Sequence, residues 1–566
     1  MGARPKRVIG LGLVLLFSAG MAFGQNPKIA PDLGVVNSGS NVNVIVTFKR
    51  FPSARHHRMV TDRGGRINRK LELVHGGAYT LPVSALEDLA SEDEVAHISP
   101  DRPVAVLMDN MAAAVNAAVA WQTGLDGTGI GVAVIDSGIS KHLDLTNGFG
   151  PPRVVYSQDF TGTGTTDDQY GHGEHVAGII GASGASSKSS NCPSCFRTLK
   201  GIAPNVNLIN LKVLDQNGQG TYSEVISAIN QAIALKNTYN IRVINLSVGG
   251  PVVESYTVDP LCQAVEQAWQ AGIVVVVSAG NDGRDNTFGT EGYGTIDTPG
   301  NDPYVITVGA MNSMGTPGRS DDIMASYSAK GPTQVDQVVK PDIVAPGNAI
   351  VSLLSPTSPT LASEFPAALV PLSYYQQNGS STTNSTQYLT LNGTSMAAPV
   401  VSGAAALLIQ HKPSITPDQV KALLMATAYK TFPPSTSVTD PTTGITYTDY
   451  YDAFTVGAGY LDIAAALGST APLPTGTAMS PAVSLDTATG TVTLNPFPSS
   501  IWSQNSLWGQ NSLWGQNSLW GQASLWGQNS LWGQNSLWGQ NSLWGQNSLW
   551  GQSTVSAQSI LANGDK

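Results

Sequence analysis

Ser395 opens the run SMAAPVVSGAAALLIQ, which is almost uncharged and rich in small residues. That pattern predicts a helix buried on nearly every side, with the serine in its first turn. Backbone N–H groups there lack helical acceptors, and the helix dipole favours negative charge beside them. Both features suit a hydroxyl that must attack a carbonyl and stabilise the resulting oxyanion. Pro399 is read near the first turn, where its missing N–H costs little. Alone, Ser395 is equally an N-cap residue that merely starts a helix. A serine hydroxyl becomes a useful nucleophile when a neutral imidazole takes its proton and a carboxylate fixes the imidazole tautomer. His172, in Gly171-His172-Gly173-Glu174-His175, supplies the imidazole, and Asp136, ending the apolar run 131–135, the carboxylate. Asn281 follows the most apolar strand of the chain, and its carboxamide can join the Ser395 N–H in holding an oxyanion. Each has an ordinary alternative: a helix-capping aspartate, or a turn asparagine in Gly280-Asn281-Asp282-Gly283. His172 and His175 are three apart with the acid between them, unlike H-E-x-x-H, so a zinc pair is not expected and His175 reads as structural.

The elements that must bring these residues together are continuous apolar strands: NLINLKVLD, IRVINLSVGG, GIVVVVSAGN, YVITVGA and DIVAPG. Helical patterns such as YSEVISAINQAIALK separate them. The combination predicts an α/β fold, a doubly wound and mostly parallel sheet covered on both faces. Ligands meet such sheets at the carboxyl ends of the strands, and Asp136, Ser247, Asn281 and Pro346 all lie at or just past those ends.

The chain has 566 residues, enough for one large domain with appendages, and a net charge of -10 with no basic patch for nucleic acid. Arg4, Lys6 and Arg7 precede the apolar run 8–23, and Ala22-Phe23-Gly24 offers small residues for a signal peptidase. Residues 1–24 are therefore expected to be a signal peptide, and no later run is apolar and long enough to span a membrane. The expected location is secreted, extracellular or at the cell surface. Residues 25–108 read as a small α+β module, with a strand NVNVIVTF, a helix VSALEDLASE and a strand from VAHISPDRPVAVL. Residues 109–468 form the large domain, and 469–500, rich in Thr, Ala, Ser and Pro, read as a linker. Trp-Gly-Gln-Asn-Ser-Leu repeats fill 501–552, and 553–566 form a C-terminal tail. The repeats read either as a short β-solenoid or as a low-complexity segment; exposed Trp rows would suit glycans at a cell surface. Cys192 and Cys195 suggest a small local disulfide, and Cys262 a free core thiol.

Five motifs now stand in order: Asp136-Ser137-Gly138, the His172 segment, Leu246-Ser247-Val248-Gly249-Gly250, Ser278-Ala279-Gly280-Asn281 and Gly393-Thr394-Ser395-Met396-Ala397-Ala398-Pro399. Together they resemble the subtilisin-like serine proteases, over about residues 112–468. The resemblance implies a secreted serine endopeptidase acting on protein or peptide substrates, made as a zymogen. Residues 25–108 would be its inhibitory propeptide, removed by self-cleavage near 107–109. It implies that Ser247, Val248 and Gly249 form one wall of the specificity pocket and Ser278, Ala279 and Gly280 the other, suited to an apolar P1 side chain. No cofactor is required for the chemistry. Asp144 matches a calcium ligand of the family, but its usual partners are not recognisable in this sequence. Glu174 stands where the family has threonine, and ionised beside His172 it would raise the histidine pKa. Residues 353–388 read as an insertion bordering the cleft. Asn378, Asn384 and Asn392 begin glycosylation triplets, which matter only in a host that glycosylates them. Two other readings remain at this point: a catalytically retired scaffold presenting the Trp repeats, and a peptidyl transferase using the same residues.

Overall fold

A computed structural model describes residues 26–30, 33, 41–100, 107–108, 110–147, 150–286, 290–440, 443–486, 491–495, 497, 500–501 and 560–565. The expected signal peptide and the hexapeptide repeats lie outside them. The chain divides into two compact units, Met1–Ala105 and Val106–Lys566.

In the first unit a four-stranded antiparallel sheet runs in the order Arg66–Leu71, Gly76–Pro82, Asn41–Phe48, Val95–Pro100. The alternation in NVNVIVTF sends Val44, Val46 and Phe48 to one face, which packs with Val60, Leu86 and Leu89 from the helices Ala54–Thr61 and Leu86–Ser91. The unit thus has a hydrophobic core of its own.

The second unit is built on an eight-stranded sheet. Its strands are β1 (Gly131–Asp136), β2 (Val154–Asp159), β3 (Asn207–Lys212), β4 (Ile241–Leu246), β5 (Val274–Ser278), β6 (Ile306–Asn312), β7 (Ile323–Met324) and β8 (Ile343–Pro346). The order is β7-β6-β5-β4-β1-β3-β2, with β8 also on β6, and every pairing except β6 with β7 is parallel. All residues of β1, β5, β6 and β8 are buried, so both faces are covered, as their continuous apolar runs require. The helices that cover them include α1 (His172–Gly181), α2 (Tyr222–Tyr239), α3 (Pro260–Gln270) and α4 (Thr394–His411). Helices α1 and α4 pack together, as do α2 and α3. From β1 the chain proceeds to β3 and β2 on one side and to β4, β5 and β6 on the other. The strand order therefore reverses between β1 and β4, the position at which α/β sheets open a crevice.

Three segments differ from their sequence readings. Residues 353–388, read as an insertion, carry strands of their own: Leu369–Pro371 and Asn384–Leu391 join Ile350–Leu353 in a three-stranded sheet. The expected linker is packed onto the core, with Ala478 and Ser480 fully buried and Ala482–Asp486 paired to Thr491–Asn495. Ser480 accepts a hydrogen bond from the buried Lys421 ammonium at 2.8 Å, so a small polar residue there fills a specific place. The C-terminal tail also returns to the core. Leu561 is buried, its carbonyl accepts from the Asn392 N–H at 2.9 Å, and Asp565 pairs with Arg284 at 2.6 Å.

Candidate active site

Asp136 ends β1 and Ser247 immediately follows β4, so the register that sets Leu246 beside Ile135 puts both at the point of strand-order reversal. Asp136 is 1% exposed and its Oδ1 accepts the Ser137 N–H at 2.8 Å, which fixes the carboxylate. The same oxygen accepts from His172 Nδ1 at 2.7 Å. With Nδ1 carrying the hydrogen, Nε2 holds a lone pair, and it has no hydrogen bond among the described residues. His172 begins α1, which can start there because Gly173 has no side chain: a Cβ would stand 2.4 Å from the Gly138 carbonyl oxygen.

Asp168 organises this corner and was not singled out from the sequence. Its Oδ1 accepts from the Ser137 hydroxyl and the N–H groups of Tyr170 and Gly171, and its Oδ2 from the Glu174 N–H. The Ser137 hydroxyl also accepts the Gly173 N–H at 2.8 Å. A fully buried carboxylate thus caps α1 and ties its start to the loop after β1, setting His172 against Asp136. In sequence it is one of two adjacent aspartates in a polar loop, with only its place before a helix as a signal.

Glu174 is buried and accepts from the Ser140 N–H. Burial, followed by the charges of Asp168, Asp167 and Asp144, holds its carboxyl well above the ordinary range, although the Ser140 bond opposes this. A carboxyl held this way stays neutral to higher pH than an ordinary glutamate, and while neutral it brings no charge beside His172. His175 has the structural role expected of it: its Nε2 lies 3.0 Å and 3.1 Å from the carbonyls of Ile350 and Leu389, and burial holds its pKa down to about 3.

Ser395 lies in the first turn of α4, after Gly393, whose φ of +138° favours glycine. Its hydroxyl donates to the Ser247 carbonyl at 3.2 Å, and the Ser247 hydroxyl donates to the Ser395 carbonyl at 2.9 Å. Pro399 explains the second bond and corrects its sequence reading. It sits inside the helix and cannot donate to the carbonyl four residues earlier, that of Ser395, so Ser247 does so instead. Ser402 and Asn245 extend the network to Ser247.

Asn281 Oδ1 accepts the Thr394 N–H at 2.9 Å and the Thr394 hydroxyl at 3.2 Å. This fixes the carboxamide so that its Nδ2 remains a donor. The Thr394 hydroxyl also accepts the Gly280 N–H at 3.1 Å, and its single proton is shared between Asn281 Oδ1 and the Gly280 carbonyl. The segments 247–249 and 278–281 are thus each fastened to the first turn of α4. Helix α1, with His172 at its head, packs along α4.

Asp144 does not sit among donors that fit calcium. Its Oδ1 accepts the Ser186 N–H at 2.6 Å and its Oδ2 the Tyr388 hydroxyl at 3.0 Å. The Arg153 guanidinium donates to the carbonyls of Asp144 and Gly181 at 2.7 Å and 2.6 Å, putting a fixed positive charge where a cation would need oxygen ligands. Among the described residues no group of three or more His, Cys, Asp or Glu side chains could hold a metal ion. Cys192 and Cys195 form a disulfide, and Cys262 is buried and free.

Residues 127–459 match the Subtilase family. The chain is 38% identical over 350 residues to serine protease AprX of Bacillus subtilis, covering 60% of this chain and 71% of that protein. It is 31% identical over 426 residues to subtilisin E of the same organism, covering 74% of this chain and 93% of subtilisin E. An alkaline protease of Alkalihalobacillus alcalophilus is 32% identical over 370 residues, with 63% and 77% covered.

Proposed function

The chain belongs to the subtilase family and is a serine-type endopeptidase, and from that premise we propose that Ser395, His172, Asp136 and Asn281 carry the reaction. The observation that carries the assignment is the buried Asp136–His172 pair at 2.7 Å, on the crevice to which the Ser395 turn is fastened. The Ser395 hydroxyl leaves the Ser247 carbonyl for His172 Nε2 and attacks the scissile carbonyl as Nε2 takes its proton. Asp136 holds the imidazolium, while the Ser395 N–H and Asn281 Nδ2 donate to the oxyanion. His172 then protonates the departing amine, and a water activated by the same nitrogen hydrolyses the acyl-enzyme. Ser247, Val248, Gly249, Ser278, Ala279 and Gly280 flank the substrate.

The reading extends to a secreted zymogen. Basic and then apolar residues support a signal peptide over 1–24, and the separate core of the first unit supports an inhibitory module over 25–108. Leu107–Met108 pair in parallel with Arg197–Thr198, so self-cleavage near 107–109 demands that this pairing open. The repeats are proposed to present Trp to cell-surface glycans, for which equal cell-wall binding by a form lacking 501–552 would be fatal.

An active-serine phosphonate should label Ser395 and stop casein digestion, and Ser395→Ala should take no label and accumulate the unprocessed chain. Digestion that survives the phosphonate would reject the assignment. Normal maturation of isolated Ser395→Ala would reject self-cleavage alone.

A further inference from the structure

Between the two wall segments lies a carboxylate for which the described residues supply no partner. The Asp297 N–H donates to the Ala279 carbonyl at 2.9 Å, while Thr298 and Gly250 exchange backbone hydrogen bonds at 2.8 Å and 3.0 Å. Residues 297–298 therefore bridge the ends of both walls. The Asp297 side chain turns between them: a Cβ on Gly280 would stand 2.7 Å from Asp297 Oδ2, and one on Gly249 3.6 Å from the same oxygen. Gly249 and Gly280, with no side chains, leave that oxygen at the base of the gap. Asp297 as a residue is part-exposed, while its carboxyl is desolvated by the walls around it. Among the described residues no donor or cation reaches its carboxylate. Arg284 pairs with Asp565 and Asp440, and Lys330 with Asp449.

We propose that Asp297 is the floor of the P1 pocket and selects lysine or arginine at the cleaved bond, a step that rests on the reading of Ser395 as nucleophile. This replaces the apolar preference expected from the walls alone. A long basic side chain lays its methylene stem along the glycine backbone and brings its charge to Oδ2. An apolar P1 side chain would cover the carboxylate and leave it without water or a partner, which is costly. Burial, and then the charge of Asp282, push the Asp297 carboxyl well above the ordinary range, and a cation brought to Oδ2 opposes both by favouring the ionised form.

The test is a matched peptide series differing only at P1, with Arg, Lys, Phe and Leu, assayed on mature enzyme whose active sites are counted by phosphonate titration. The expected result is a kcat/KM for Arg and Lys at least about tenfold above Phe and Leu, with the ratio falling by about a hundredfold in Asp297→Asn. A wild-type preference for Phe or Leu would overturn the proposal, whether or not the variant folds. So would an unchanged ratio in a phosphonate-titratable Asp297→Asn. Failure of the phosphonate to label Ser395, with no peptide cleaved, would instead overturn the parent reading and remove the pocket with it.

Discussion

Ser247 and Ser395 exchange two hydrogen bonds, each hydroxyl donating to the other residue's carbonyl, at 2.9 Å and 3.2 Å. Pro399 creates the need for the first. Ser247→Ala should leave the Ser395 carbonyl buried beside a missing donor, at a cost of about 1–3 kcal/mol. A thermal melt should show the loss as a lowered Tm, with kcat falling as the nucleophile's turn loosens. An unchanged melt would mean that water or a helical shift replaces the bond.

Asn281 is held by Thr394 at its oxygen, which leaves its nitrogen to donate. Asn281→Ala should lower kcat by roughly 100- to 1000-fold with little change in KM, the magnitude known for the corresponding subtilisin residue rather than one calculated from this geometry. A loss confined to KM would assign the residue to ground-state binding instead.

Glu174 keeps its proton in the folded protein at pH values where the unfolded chain has lost it, above about 4.5. In that window the unfolded chain binds fewer protons, so stability falls as pH rises towards the folded pKa. Glu174→Gln removes this decline. Denaturant unfolding at about pH 4, 7 and 9 should show the variant gaining on wild type as pH increases, by an amount growing with the pKa difference.

Removing 560–566 exposes the pocket filled by Leu561 and strips Arg284 of Asp565, which is 1% exposed at its side chain. A loss of about 3–5 kcal/mol is expected, from one buried aliphatic side chain and one broken buried ion pair. Asp565→Asn isolates the charge and should cost less than the truncation. Equal melting of full-length and truncated protein would show that the terminus contributes nothing.

What could be read beforehand was what repeats locally. The apolar runs of β1 and β5 and the small-residue run of α4 announced buried elements, because covering both faces of a strand leaves no room for polar alternation. Asp136, His172, Asn281 and Ser395 stood out because each lies at an element's end. Distant partnerships were not legible. Nothing near Asp144 in the sequence announces Tyr388, 244 residues later, as the owner of its oxygen. Asp168 and Asp297 look like ordinary loop aspartates until the backbone sets one under a helix and the other between two glycines. The stretch 469–500 misled because small residues chosen to fit a tight place have the composition of residues chosen to fit none.

Ile501 and Leu561 are both anchored in the same core, so the stretch between them is fastened at either foot. One protease nick within it sheds no fragment while the anchors hold, and such damage comes to light only when the protein is denatured. Shedding the stretch takes two cuts, or one cut and the undocking of Asp565.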